Sequence, residues 1–181
     1  MPRIIAGEFR GRRLATPADV TRPTSDRVRE AVMSMLGARA DLAGMRVLDL
    51  YAGTGALGLE AVSRGAASAV LVEVDRKAAT VARENVKVCG AGPRVRVVSR
   101  TVASFLATPG ECFDLIFLDP PYAVSTAEVN DALAALLPLL SDDGWVVLER
   151  GSRSAEPVWP DGLEEIAVKD YGDTVVSLAS R

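Results

Sequence analysis

Thirteen residues, Arg46 to Gly58, constrain this chain more than any other stretch. Arg46-Val47-Leu48-Asp49-Leu50 is a short apolar run of the kind that forms a strand covered on both faces of a parallel sheet. A turn follows, Tyr51-Ala52-Gly53-Thr54-Gly55. Gly53 and Gly55 can take positive φ there and let a ligand approach the backbone with no Cβ in the way. Gly58, one helical turn later, lets the next helix pack closely on the strand. Strand, glycine turn and helix together predict a nucleotide-type pocket at the carboxyl edge of a sheet. Which nucleotide, the turn alone leaves open.

Strand and helix alternate through most of the remaining chain. Apolar runs at Ser68–Val74, Arg94–Ser99, Phe113–Leu118 and Gly144–Glu149 are separated by helical stretches at Ala56–Arg64, Arg76–Val88, Val102–Ala107 and Thr126–Leu140. Such alternation predicts an α/β fold, a doubly wound parallel sheet with helices on both faces. Glu164–Asp170 and Thr174–Leu178 flank Tyr171-Gly172-Asp173, a hairpin signal. The expected sheet therefore has seven strands, mostly parallel, and closes in an antiparallel hairpin.

Ahead of this body, Arg3–Leu14 reads as a short hairpin and Pro17–Pro23 as a proline-bounded loop. Thr24 or Ser25 can cap a helix whose apolar positions are Val28, Ala31, Val32, Met35 and Leu36, ended by Gly37. The expected division is an extension over 1–39 and a main domain over 40–181. Residues 1–39 hold eight Arg against four acids, a balance of +4, while the remainder carries 13 basic and 20 acidic residues, −7. A basic extension on an acidic body suggests a polyanion docking on one side. Arg3, Arg10, Arg12 and Arg13 are the candidate phosphate contacts, with Arg27 and Arg29 on the helix. Pairing of those two with Asp26 or Glu30 on a solvated helix face is the alternative.

No apolar run reaches membrane-spanning length and no signal-peptide core follows Met1, so a cytoplasmic protein is expected. Cys89 and Cys112 suggest neither a disulfide framework nor a zinc site. Histidine is absent from the sequence, so no metal site is expected and no histidine base is available. A monomer is the default.

Two cofactor classes compete for the glycine turn. Gly53-x-Gly55-x-x-Gly58, with Glu73 18 residues beyond Gly55, matches a dinucleotide fingerprint. S-adenosylmethionine sites use a similar turn and a similar acid. Charge separates the two, because pyrophosphate is disfavoured beside a carboxylate, whereas an ammonium and a sulfonium are favoured there. Asp49 is that carboxylate, or else an acid bracing the loop. Asp75 reads as the cap of the helix from Arg76.

The fourth apolar run decides between them. It enters Asp119-Pro120-Pro121-Tyr122 at the same sheet edge. Asp119 and the Pro120 carbonyl can accept the two hydrogens of an exocyclic amine, Pro121 stiffens the turn, and Tyr122 can stack on the base.

Val47–Gly58, Glu73 and Asp119–Tyr122 resemble class I S-adenosylmethionine-dependent N-methyltransferases with their Rossmann-like fold. Arg3-Ile4-Ile5-Ala6-Gly7, Arg22–Glu30 and Tyr171-Gly172-Asp173-Thr174 resemble the RsmD family within them. The resemblance implies methylation of N2 of a guanine in 16S ribosomal RNA, in a small subunit or assembly intermediate. It also implies that the segment before the core covers the cofactor, through Thr24 or Arg27. Tyr51, Gly53, Gly55, Asp49 and Asp119 would line the cofactor site, with Glu73 and Val74 at the ribose. Relatives often carry a polar or acidic residue after the third strand, where this chain has Ser99-Arg100-Thr101-Val102. The adenine then falls to the Thr101 side chain or the Val102 backbone. Runner-up readings are methylation of adenine N6 in DNA or of a glutamine amide, or a non-catalytic RNA-binding protein.

Overall fold

A computed structural model describes residues 1–19 and 24–181. Arg22 and Pro23, part of the RsmD-like stretch and of the proline-bounded loop, lie outside the described residues.

Strands β1 (Arg46–Leu50), β2 (Ser68–Val72), β3 (Val95–Val98), β4 (Phe113–Leu118), β5 (Leu140–Gly151), β6 (Glu164–Asp170) and β7 (Thr174–Ser180) form one sheet, ordered β3-β2-β1-β4-β5-β7-β6. The first five run parallel, and β7 pairs antiparallel with both β5 and β6. Strand order reverses between β1 and β4, which opens a crevice at their carboxyl ends.

Helices α1 (Asp26–Gly37), α2 (Ala56–Ser63) and α3 (Arg76–Val88) cover one face, and α4 (Val102–Leu106) and α5 (Thr126–Ala135) the other. The pleat sorts side chains between them. Val47, Phe117 and Val147 enter one apolar cluster, whereas Leu48, Leu118 and Leu148 enter the opposite one.

Several bounds differ from the sequence reading for local reasons. The second strand stops at Val72 because Glu73 turns its carboxylate back onto the backbone N–H groups of Gly53 and Asp75. The helix from Thr126 ends at Ala135 and continues as a 3-10 turn over Leu137–Leu139, where Pro138 cannot donate. On α1, Ser25 is the cap, accepting the Val28 N–H at 3.2 Å. Its buried arc includes Met33, while Ala31 is only half-buried.

The amino-terminal hairpin is a single antiparallel bridge, Arg3 to Arg13, rather than a ladder. It docks on α2. The Glu8 N–H donates to the Ser63 carbonyl at 2.8 Å, and the Phe9 N–H to Ser63 Oγ at 2.9 Å. A Cβ on Gly7 would fall 1.9 Å from the Ser63 carbonyl oxygen, so only glycine allows this approach. Ile4, Phe9 and Leu14 join the same apolar cluster as Val47 and Leu59, so extension and sheet share a core.

Glu60 is the ionic centre of this docking. Fully buried on α2, its carboxylate accepts the Ile5 and Ala6 N–H groups at 3.0–3.2 Å and pairs with Arg64 at 2.9 Å. Arg29 approaches it at 3.4 Å, with both side chains at 0% exposure. This corrects the placement of Arg29 on an RNA-facing surface: it lies inside the fold, donating also to Asp26 and to the Arg3 carbonyl. Removing Glu60 alone, as Glu60→Leu, takes from the buried Arg29 its fully buried counter-charge, leaving the partly exposed Asp26, and should cost about 3–5 kcal/mol in urea unfolding. Adding Arg29→Met should recover part of that loss. A single variant within about 1 kcal/mol of wild type would contradict the assignment.

Candidate active site

The glycine turn is held from both sides of its loop. Tyr51, Gly53 and Gly55 take φ of 60°, 56° and 84°. Tyr51 is the only non-glycine residue in that region among the described residues, a strained conformation of the kind that gathers at functional sites. Its ring packs toward α5, on the opposite face from Asp49. A Cβ on Gly58 would fall 2.3 Å from Leu71 Cδ2, so close packing of helix on sheet needs its missing side chain.

Asp49 stands at 1% exposure beneath the turn. Its Oδ2 accepts the Gly58 N–H at 3.1 Å, and its Oδ1 has no hydrogen-bond partner among the described residues. Burial drives its pKa to about 8, with the charges of Asp119 and Glu73 adding to the rise. An orphaned, buried carboxyl oxygen fits an ammonium group and is unfavourable beside a phosphate.

Glu73 is the acid that braces the loop. Its oxygens accept the Gly53 and Asp75 N–H groups, each at 2.8 Å, and each keeps a second lone pair for a ribose hydroxyl. Val74 is exposed beside it. Thr101 caps α4, its Oγ1 accepting the Ser104 N–H at 3.1 Å, which leaves its hydroxyl hydrogen and a second lone pair for a base. Val102 is buried at the start of that helix. Arg100 folds back onto Ser104 and Thr108.

Asp119 leaves the end of β4. Thr24 Oγ1 donates to its Oδ2, which brings the extension into the crevice. Burial raises the Asp119 pKa to about 6, and the Thr24 bond partly offsets that rise. Pro120 is buried, and among the described residues nothing donates to its carbonyl. The Pro121 carbonyl is occupied by the Val124 N–H at 3.0 Å. Tyr122 is 71% exposed, its ring lying on Gly151, where a Cβ would be 2.9 Å from Tyr122 Cε1. Gly151 and its buried neighbour Glu149 went unnoticed in the sequence. A glycine ending a strand at the carboxyl edge was the available signal.

Of the remaining arginines, Arg3, Arg10 and Arg27 line one open hollow of about 450 Å³ together with Asp26 and Glu30. Arg27 thus stands with the arginines. Arg13 is exposed nearby. Arg12 is already engaged, donating to the Val88 and Cys89 carbonyls that end α3 while its guanidinium lies 5.2 Å from the Phe9 ring centroid. Among the described residues no His/Cys/Asp/Glu cluster could hold a metal, and no helix is long and apolar enough to cross a membrane.

The family model described as "Conserved hypothetical protein 95" matches residues 2–180. The chain belongs to this family. It is the RsmD family that the motifs resemble. The chain is 40% identical over 148 residues to ribosomal RNA small subunit methyltransferase D of Escherichia coli K12, covering 81% of this chain and 70% of the relative. It is 33% identical over 180 residues to the putative rRNA methyltransferase YlbH of Bacillus subtilis, covering 97% of each. The solved structure of the putative methyltransferase yhhF from Escherichia coli superposes with a TM-score of 0.88 at 33% identity, over 99% of this chain and 97% of that one. The Rossmann-like α/β sheet with its antiparallel end is therefore the family's fold.

Asp49 and Glu149 both have folded-state pKa values near 8, above the ordinary 3.8 and 4.5. The folded chain then binds more protons than the unfolded one between about pH 4 and 8, and stability falls as pH rises through that window. Cofactor-free Asp49→Asn should show a shallower fall and a higher Tm at pH 8 in thermal unfolding. A profile matching wild type would contradict the buried-charge account.

Proposed function

We propose that this RsmD-family chain is an S-adenosylmethionine-dependent methyltransferase acting on ribosomal RNA of the small subunit, at the exocyclic N2 of a guanine. The observation that carries the reading is the pairing, across the β1–β4 crevice, of an unpartnered buried Asp49 oxygen with the Asp119–Pro120 acceptor pair. A dinucleotide site would leave both unexplained.

Asp49 Oδ1 would hold the cofactor's ammonium, Glu73 its ribose, and the 101–102 segment its adenine. S-adenosylmethionine, when bound, supplies an electrophilic methyl group. The chain's own part is to orient the acceptor. Asp119 and the Pro120 carbonyl take the two N2 hydrogens and aim the nitrogen lone pair, which is otherwise delocalised into the ring. Positioning of this kind is worth up to ~7–11 kcal/mol in favourable cases. As N2 gains its new bond to carbon it becomes cationic, and Asp119 takes the proton it must lose. With a pKa near 6, Asp119 is suited both to holding the amine and to receiving that proton.

A base inside a helix cannot reach this notch, so the target is unpaired or flipped out, with Tyr122 stacking on it. Arg3, Arg10, Arg13 and Arg27 would hold the flanking phosphates. The reading places the chain in the cytoplasm with the ribosome, as a monomer with no metal requirement.

Tritiated-methyl transfer to unmodified small subunits and to free RNA, with mapping of the labelled nucleoside, tests this directly. The expected product is N2-methylguanosine, with about 10²-fold or greater loss of kcat in Asp119→Ala. Label on adenine, or on protein, would overturn it. The same substrate tests the arginine hollow. Replacing Arg3, Arg10 and Arg27 together should weaken RNA binding and reduce the salt slope by about two, at roughly 0.7 per single-strand phosphate contact. An unchanged slope would assign docking to another surface.

A further inference from the structure

We infer that Glu149 reads the acceptor base, an oxygen of its carboxyl group accepting the hydrogen on N1 of the guanine whose N2 lies against Asp119. This rests on the guanine reading proposed above.

Register places Glu149 beside Asp119. Leu118 pairs with Leu148 across the parallel β4–β5 ladder, so the next position on each chain brings the two acids level, on strands ~4.8 Å apart. They also share a face, since Phe117 and Val147, two residues earlier on each, enter the same apolar cluster. Gly151, two residues further along β5, is the seat of the Tyr122 ring.

β5 lies on the opposite side of β4 from β1 and β2, which carry Asp49 and lead into Glu73. Glu149 therefore belongs to the acceptor side of the crevice and not to the cofactor side. It is 7% exposed, and its Oε2 is buried with no hydrogen-bond partner among the described residues. An unsatisfied carboxyl oxygen costs stability wherever it is buried. Replacing an acid so placed by an apolar residue of similar size removes that penalty. A purely structural role gives no reason for the acid, whereas a donor arriving with the substrate does.

Guanine brings two such donors side by side, N1–H and the N2 amine. Asp119 takes the second and Glu149 the first. Adenine presents a lone pair at N1 and no amine at C2, leaving Oε2 opposed by another acceptor. Burial and the neighbouring Asp119 charge push Glu149 up to about 8 in the free protein; a bound N1–H favours the ionised carboxylate, which can only accept, and that form makes the distinction.

The test is methyl transfer to subunits rebuilt with guanine or 2-aminopurine at the labelled position, using wild type and Glu149→Met. 2-Aminopurine keeps the C2 amine but has no hydrogen on N1. Wild type should prefer guanine by at least about tenfold in kcat/KM. Glu149→Met should lose a similar factor on guanine and little on 2-aminopurine, so that the preference collapses toward one. Its Tm should not fall, and its S-adenosylhomocysteine affinity by calorimetry should match wild type. A variant that keeps the full preference, or that loses cofactor affinity, overturns the inference. Failure of the underlying guanine reading looks different: wild type would place no label on guanine, and this inference would fall with it.

Discussion

Three carboxyl groups, Asp49, Asp119 and Glu149, stand on one face of the sheet near the carboxyl ends of three adjacent strands, β1, β4 and β5, and the rest of the site is arranged around that concentration of acid. The pleat puts them there. Each follows by two residues a core side chain, Val47, Phe117 or Val147, that anchors its strand in the same cluster. Burial raises all three pKa values, to about 8, 6 and 8. Two of the three keep an oxygen with no partner among the described residues. Such an arrangement opposes folding and is tolerated because the strands beneath it are packed on both faces. On the proposed reading, that acceptor capacity serves a cationic cofactor on one side and a base rich in N–H donors on the other.

The extension closes the third side through a chain of non-local contacts. Glu60 and Ser63 on α2 hold the backbone of residues 5–9. Asn85 of α3 accepts the Ala15 N–H and donates to the Ala15 and Thr54 carbonyls, joining the extension to the glycine turn. Thr24 then reaches Asp119. One segment thus presents a hydroxyl to the crevice and arginines to the outside, so RNA held by the hollow would be close to the notch that acts on it.

How much of this the sequence disclosed depends on the range of the interaction. β4 and α3 fall where apolar periodicity places them, and Asp75 caps α3, because a strand's period and a helix cap are local properties. Gly58 was legible for the same reason. Arg29 was not. Its partner Glu60 lies 31 residues away, and the one hint was its helical spacing from the buried Met33 and Leu36. Glu149 closes the apolar run from Gly144, and only the β4–β5 register reveals that it stands level with Asp119. The helical stretch at Val102–Ala107 was legible too, and α4 occupies Val102–Leu106, but that Thr101 is its cap, one lone pair of its hydroxyl taken by the Ser104 N–H, shows only in the structure.

The most direct measurement of the central claim is a crystal structure of the chain with S-adenosylhomocysteine. The account predicts the ligand's amino group on Asp49 Oδ1 and its sulfur opening toward Asp119 and Pro120. A sulfur turned away from that notch, or an amino group that leaves Asp49 unpaired, would contradict it.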